Sequence, residues 1–321
     1  MSTKEEVLKI LENSRGSAVS GAEIAQRLCV SRSAVWKAIN RLKQDGHAIT
    51  AVTNKGYTLT PESSAVSSPG IESLLSTPCR LRILNTVTST NDEAKRLAED
   101  GAKEWTVVIA KEQTAGKGRL GRSFYSPPGS GIYMSIVLRP AFSAQQSLLI
   151  TTAAAVAVAQ ALEECGCPRA DIKWVNDVYT GGKKVCGILT EGSFDFETGL
   201  LSYAVLGIGI NLSAPDGGFP HELKDKAGWA FSGDIPLPNR IIASVIDNFA
   251  AYYERLTERP HLEGYKSRCM LTGRNVLVHS RDSLRPALVL GIDDDFRLLV
   301  RYGDGSVEAL SSAEVSVTPE N

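Results

Sequence analysis

The sequence predicts an α+β fold in consecutive segments, and three observations carry that prediction. Residues 1–60 repeat apolar side chains at helical spacing, residues 71–271 mix strand-like runs with helices in an uneven order unlike βαβ repeats, and residues 272–321 hold only short strands and turns. Residues 61–70, Pro-Glu-Ser-Ser-Ala-Val-Ser-Ser-Pro-Gly, read as a linker of turn formers. At 321 residues, 43% of them hydrophobic, the chain is long enough for two or three domains with substantial cores.

In the first segment, Val7, Leu8, Ile10 and Leu11 mark one helical face, Ile24, Ala25 and Leu28 a second, and Val35, Ile39 and Leu42 a third. Ser20 and Ser31 stand as N-caps, and Gly46 sits where a helix C-terminus wants left-handed geometry. The tight Cys29-Val30-Ser31 turn between the second and third helices suggests a helix-turn-helix. Ala48–Val52, the turn Thr53-Asn54-Lys55-Gly56 and Tyr57–Leu59 read as a hairpin, which makes the segment a winged helix. The net charge of -1 hides an asymmetry: residues 1–65 hold nine Lys/Arg against six Asp/Glu, so the basic charge is concentrated there. On this arrangement Ser31, Arg32, Ser33, Trp36, Lys37 and Asn40 line the polar side of the third helix and Lys55 the wing, a DNA-facing set.

The middle segment predicts strands at 82–86, 106–111, 132–138, 172–174, 184–191 and 201–208, and helices at 91–99, 144–164, 239–255 and 262–270. The third segment predicts strands at 276–279, 287–292, 298–301 and 307–310, a small β-barrel-like domain. Cys29, Cys79, Cys165, Cys167, Cys186 and Cys269 form no C-x-x-C pair and the four histidines are scattered, which points away from disulfides and zinc and toward a reducing, cytoplasmic setting. The N-terminus lacks the apolar core of a signal peptide, and Leu148–Leu162 reads as a buried Ala-rich helix, too interrupted by Thr and Gln to span a bilayer.

Chemistry concentrates in four places. Gly116-Lys117-Gly118-Arg119-Leu120-Gly121-Arg122 interleaves three glycines with three cations after a strand and ends no P-loop or dinucleotide motif. Glycine lets backbone N–H groups approach an anion, and Lys and Arg supply charge-assisted hydrogen bonds. Ser89-Thr90-Asn91 lies at a strand-to-helix junction, with Gln113 ending the strand that feeds the glycine loop. Lys173-Trp174-Val175-Asn176-Asp177 is followed by Lys183, Lys184 and Gly187, and Gly207-Ile208-Gly209-Ile210-Asn211 places an amide after a strand whose glycines permit close approach. Each piece alone also reads as a solvated loop, an N-cap, a turn or a strand edge.

Together and in this order the motifs resemble the biotin protein ligase family, in the long form whose N-terminal helix-turn-helix makes it also the biotin operon repressor. The resemblance implies a central domain like the class II synthetase-like biotin/lipoate ligases and an SH3-like C-terminal domain. It also implies that biotin and MgATP give biotinyl-adenylate and pyrophosphate, after which biotin passes to a lysine of a biotin carboxyl carrier domain, of acetyl-CoA carboxylase or a related enzyme. By family position Ser89, Thr90, Asn91, Gln113, Lys117, Gly118, Arg119 and Lys184 bind biotin, and Lys184 and Arg119 are catalytic. Gly116, Lys117, Arg119, Arg122, Asn176, Asn211 and Trp229 bind ATP, and Asp177 lies near Mg2+. Adenylate would promote a homodimer on operator DNA, with no membrane partner. Lys117, Phe124 and Val175 depart from the common Arg, Trp and Pro. A catalytically silent repressor and a lipoate or octanoate ligase are the competing readings, which the retained cations and the fused helix-turn-helix respectively disfavour.

Overall fold

The structure is a computed structural model that describes residues 2–52, 55–142, 146–194, 199–279 and 284–311, with the backbone of 316–319. The chain divides into two compact units, Met1–Pro78 with Pro236–Asp247, and Cys79–Ile235 with Asn248–Asn321.

In the first unit, helices α1 (Thr3–Asn13), α2 (Gly21–Arg27) and α3 (Arg32–Gln44) precede a hairpin of β1 (Ile49–Val52) and β2 (Gly56–Leu59). The expected caps form: Ser20 accepts from the Glu23 N–H, Ser31 from the Ala34 N–H, and Gly46 follows α3 at φ +96°. Val7, Leu11, Ile24, Val35, Ile39, Leu42, Ile49 and Leu59 make the core, so the three apolar stripes are one interior. The turn residues Thr53 and Asn54 lie outside the described residues. Gly56 is required: its φ is +111°, and a Cβ there would fall 2.1 Å from the Val19 carbonyl oxygen.

The stretch expected as a linker carries order. Arg15 donates to the carbonyls of Thr60, Pro61 and Ser63 at 3.0–3.2 Å while pairing with Glu12 at 2.7 Å. Beyond it Ser67 caps a short helix, α4 (Ser68–Glu72), with Pro69 in the first turn, where its missing N–H costs nothing. Asn239 accepts from the Ser67 N–H and donates to the Ala65 carbonyl.

The second unit is built on a seven-stranded sheet of order β3-β4-β5-β9-β8-β7-β6. Its strands are β3 (Arg80–Val87), β4 (Thr106–Gln113), β5 (Gly131–Leu138), β6 (Asp171–Lys173), β7 (Asp177–Thr180), β8 (Lys183–Phe194) and β9 (Leu201–Asn211). Among the described residues β3–β4 is the one parallel pair of its strands, so the sheet is mixed and mainly antiparallel, as the uneven order of strands and helices fits. Helices α5 (Thr90–Glu99), α6 (Ser147–Glu164) and α8 (Leu262–Arg268) belong to this unit, while α7 (Pro238–Tyr253) groups with the first unit up to Asp247. Ala144, the expected start of α6, lies outside the described residues. By length and composition α6 qualifies as a membrane span despite its Thr and Gln, but most of it is buried inside the protein, as a core helix should be.

The C-terminal sheet is antiparallel, of order β13-β12-β11-β10-β14, with β10 Asn275–His279, β11 Leu284–Ile292, β12 Leu298–Tyr302, β13 Val307–Leu310 and β14 Ser316–Pro319. Strand β11 begins earlier than the sequence suggested because Leu284, Arg285 and Pro286 pair with β10 beyond the end of β12, which stops opposite Ala287; there Pro286 is on a strand edge that needs no second N–H partner. The turn before β12 buries Phe296, which stacks on His261 at 4.7 Å and meets Tyr265 edge-on. Burial pushes the His261 imidazole down to about 4, keeping it neutral.

Candidate active site

Alternation along the sheet creates the site. Residues 187, 189 and 191 of β8, 207, 209 and 211 of β9, and Tyr133 and Ser135 of β5 share one face, since Gly187 pairs with Gly209, Gly209 with Tyr133 and Gly207 with Ser135. Three of these positions are glycine, which leaves a trough. A Cβ on Gly207 would lie 2.1 Å from Asn91 Oδ1, and one on Gly209 would lie 2.6 Å from the Phe124 ring, which also covers Gly187.

At the Gly207 end a buried hydrogen-bond network forms. The Thr90 N–H and hydroxyl donate to Gln113 Oε1 at 2.8 and 3.0 Å, and Gln113 Nε2 donates to Ser126 Oγ at 2.8 Å. The Ser135 hydroxyl lies 2.6 Å from Asn91 Oδ1 and 2.8 Å from Thr90 Oγ1. Asn91 Nδ2 donates to Glu191 at 2.7 Å, and Glu191 pairs with Lys95. Ser89 precedes α5 but makes no side-chain cap bond there; the first free N–H of the helix goes to Gln113 instead.

The glycine and cation loop leaves β4 and returns beside it. Gly118 N–H bonds the Arg122 carbonyl at 2.7 Å and Phe124 N–H the Gly116 carbonyl at 2.8 Å, while Arg119–Gly121 makes a single tight turn. Leu120 at its crest is exposed with φ +57°. Gly116 has no room for a side chain, a Cβ there falling 2.4 Å from the Phe124 carbonyl oxygen. Lys117 pairs with Asp92 at 2.5 Å.

Beyond Gly187 the charges gather. Arg119 donates to Asn176 Oδ1 at 3.3 Å, and Asn176 Nδ2 donates to the Ile188 carbonyl at 2.8 Å. The Lys184 ammonium lies 2.7 Å from Asp177, which faces Lys173 across β6–β7. Burial lowers the Arg119 pKa, with Asp177 opposing and Arg122 assisting. Burial likewise lowers Lys173, opposed by Asp177 and reinforced by Lys184 and Arg122. Four cations thus surround one carboxylate, an excess positive potential suited to a polyanion. The loop carrying this motif is fixed from the C-terminal side: Trp174 Nε1 donates to the Phe296 carbonyl and the Tyr265 hydroxyl to the Val175 carbonyl.

Asn211, at the end of β9, donates to the Gly228 carbonyl at 2.9 Å, and the Lys184 main chain bridges to Lys226 and Gly228. Trp229 beside it is partly exposed and stacks on Phe219. The expected ligand residues of this unit therefore meet along one trough and its rim. In the first unit Ser31, Arg32, Ser33, Trp36, Lys37 and Lys55 are exposed and Asn40 half-buried; Trp36, at 56% exposure, is no packing residue. Sequence reasoning missed Ser135, Ser126, Glu191, Lys95 and Asp92, and gave Lys173 no role. The available signal was a lone serine inside the apolar run Gly131–Leu138.

Comparison with known proteins agrees with this geometry. The model of the "Biotin/lipoate A/B protein ligase family" matches residues 83–211, and a helix-turn-helix domain model matches 3–58. The chain is 32% identical to the bifunctional ligase/repressor BirA of Bacillus subtilis over 98% of both chains, and 28% identical to that of Escherichia coli over 93% of this chain and 92% of the other. Among solved structures, the biotin protein ligase of Aquifex aeolicus in complex with biotin and ATP superposes with a TM-score of 0.64 at 27% identity, covering 75% of this chain and 99% of that one. From its fold, its trough and these relatives, the chain belongs to the biotin/lipoate A/B protein ligase family, among the bifunctional members that join a ligase to a helix-turn-helix.

Proposed function

We propose that this protein is an ATP-dependent biotin ligase that forms biotinyl-5'-AMP, transfers biotin to a lysine of a carboxyl carrier domain, and represses biotin genes through its winged helix. The observation that carries the catalytic reading is the glycine trough, with a buried hydrogen-bonding pocket at Gly207 and a cation cluster beyond Gly187. A bicyclic ureido acid suits the first end and a triphosphate the second.

The chemistry asks for two anions to be held together. A biotin carboxylate oxygen attacks the α-phosphorus and pyrophosphate leaves; the carrier's neutral lysine amine then attacks the acyl carbon and AMP leaves. Ser89, Thr90, Asn91 and Gln113 hold the ureido group, and Lys184 bridges carboxylate and phosphate. Lys117, Gly118 and Arg119 close over the adenylate, with Arg119 neutralising developing charge and Gly116, Arg122 and Asn176 on the phosphates. Asn211 binds on the phosphate side and Trp229 covers adenine. Asp177 is a single carboxylate beside this cluster, a donor that fits Mg2+, which takes one or two carboxylates plus substrate oxygens. When bound with ATP, Mg2+ supplies further neutralisation of the phosphates.

Dimerisation on adenylate binding would place two winged helices on two half-sites, in a cytoplasmic setting. Incubation with biotin, MgATP and a biotin carrier domain should give a carrier lysine heavier by one biotinyl group and release pyrophosphate. Preferential transfer of lipoate or octanoate, or no adenylate at all, refutes the assignment. A gel shift on DNA upstream of biotin genes, strengthened by biotin with ATP, tests the repressor half.

A further inference from the structure

We infer that Trp36 is a specificity-determining residue of the DNA-reading helix: its indole lies against the 5-methyl group of a thymine in the major groove of each operator half-site. This deepens the repressor half of the proposed function and rests on it.

Helix α3 commits Val35, Ala38, Ile39 and Leu42 to the core of the winged helix. Trp36 is the one large apolar side chain of α3 left in solvent, more than half exposed. A single exposed apolar residue means little by itself, and here its setting decides. Arg32 lies one turn before it and Asn40 one turn after, with Lys37 beside it, and none of the three is buried. The helix carries Arg32, Lys37, Arg41 and Lys43 and no carboxylate. Such a face attracts a polyanion and repels a second copy of itself.

On duplex DNA the cations meet phosphates, which leaves the indole to the base edges. Trp36 is placed for them: it lies in the first half of α3, the part of a recognition helix that reaches bases in helix-turn-helix proteins. Indole has one N–H donor and no acceptor, so it cannot make the paired hydrogen bonds by which Asn or Arg reads adenine or guanine. Among the groups on the major-groove edges the thymine methyl is the apolar one, and it matches the indole face. Ser31 and Ser33 are occupied at the helix start: Ser31 Oγ accepts from the Ala34 N–H and lies 2.8 Å from Ser33 Oγ.

The test is uracil interference on DNA upstream of biotin genes. A random fraction of thymines is replaced by deoxyuridine, which lacks the 5-methyl group and pairs as thymine does. Bound and free DNA are separated by gel shift with the full chain, biotin and MgATP, then cleaved at uracil with a glycosylase and alkali. Wild type is expected to exclude uracil at one thymine position, repeated symmetrically in the two half-sites. Each lost methyl should weaken binding about fourfold, the worth of one buried CH2-sized group. Trp36→Ala should bind unsubstituted DNA about tenfold more weakly and accept uracil at that position. Trp36→Phe keeps an aromatic face and should still exclude it, and Lys37→Ala should weaken binding while leaving the uracil pattern intact. Melting curves confirm that each variant is folded. A wild type indifferent to uracil throughout, or a Trp36→Ala protein with the wild-type pattern, overturns the proposal. So does a Trp36→Phe protein as indifferent as Trp36→Ala, which assigns the indole N–H to a phosphate instead. No gel shift by wild type at low salt means that the repressor reading itself has failed, and this inference falls with it.

Discussion

Lys117 is the residue proposed to tune the adenylate's lifetime. In place of the planar, five-donor guanidinium common in the family, it offers a point charge, and that charge is already paired with Asp92 across a partly exposed gap. Such a pair contributes about 1 kcal/mol at most, so the adenylate competes for it easily but gains no fork geometry. Lys117→Arg should slow release of preformed biotinyl-adenylate by about three- to tenfold, the worth of a second charge-assisted hydrogen bond. An equal or faster release in a chase experiment contradicts this. Lys173 gives a pH signature. Its pKa lies below that of an ordinary lysine because the charged form is buried, so it is cationic at low pH and discharges earlier as pH rises. ATP affinity should then weaken on the alkaline side before an exposed lysine would titrate. Lys173→Arg should move that loss to higher pH; an identical KM(ATP) profile in both proteins removes Lys173 from the nucleotide site.

At the scale of elements, strand β9 matters through what it omits. Gly207→Ala puts a methyl group 2.1 Å from the Asn91 amide oxygen, which must move. The expected result is a rise of about tenfold or more in KM for biotin with the DNA-binding unit untouched, measured by carrier labelling and gel shift together. The glycine loop, Ser89–Asn91, Lys173–Asp177 and Gly207–Asn211 were legible in the sequence because each is a local run with an unusual composition. Caps at Ser20 and Ser31 were legible for the same reason. Glu191 and Ser135 were not: Asn91 meets Glu191 across 100 positions and Ser135 across 44, and only strand register puts them on one face. Helix α4 was hidden by its Pro and Gly, which read as turn formers until Ser67 is seen capping them.

For the whole molecule, the residues proposed for DNA and those proposed for ligation fall in different compact units, so the two activities can be tested apart. Lys37 and Lys55 are exposed on the winged helix. Replacing either with alanine should weaken operator binding uniformly across sequences and reduce the salt slope by about one. Ligase activity at saturating biotin should hold; a matching loss of both activities means these lysines serve folding rather than DNA.

The contacts of Arg15 and Asn239 bear on where the protein can be cut. Arg15, paired with Glu12, grips the backbone of 60–63, and Gly70 is packed among Asn239, Glu12 and Ser67. An expression fragment ending at residue 60 discards the Pro61 and Ser63 carbonyls that accept from Arg15, and one ending at Pro78 still lacks Asn239, which is supplied from a segment 174 positions after Ala65. A stable DNA-reading module would need that distant stretch returned to it, grafted or supplied as a peptide.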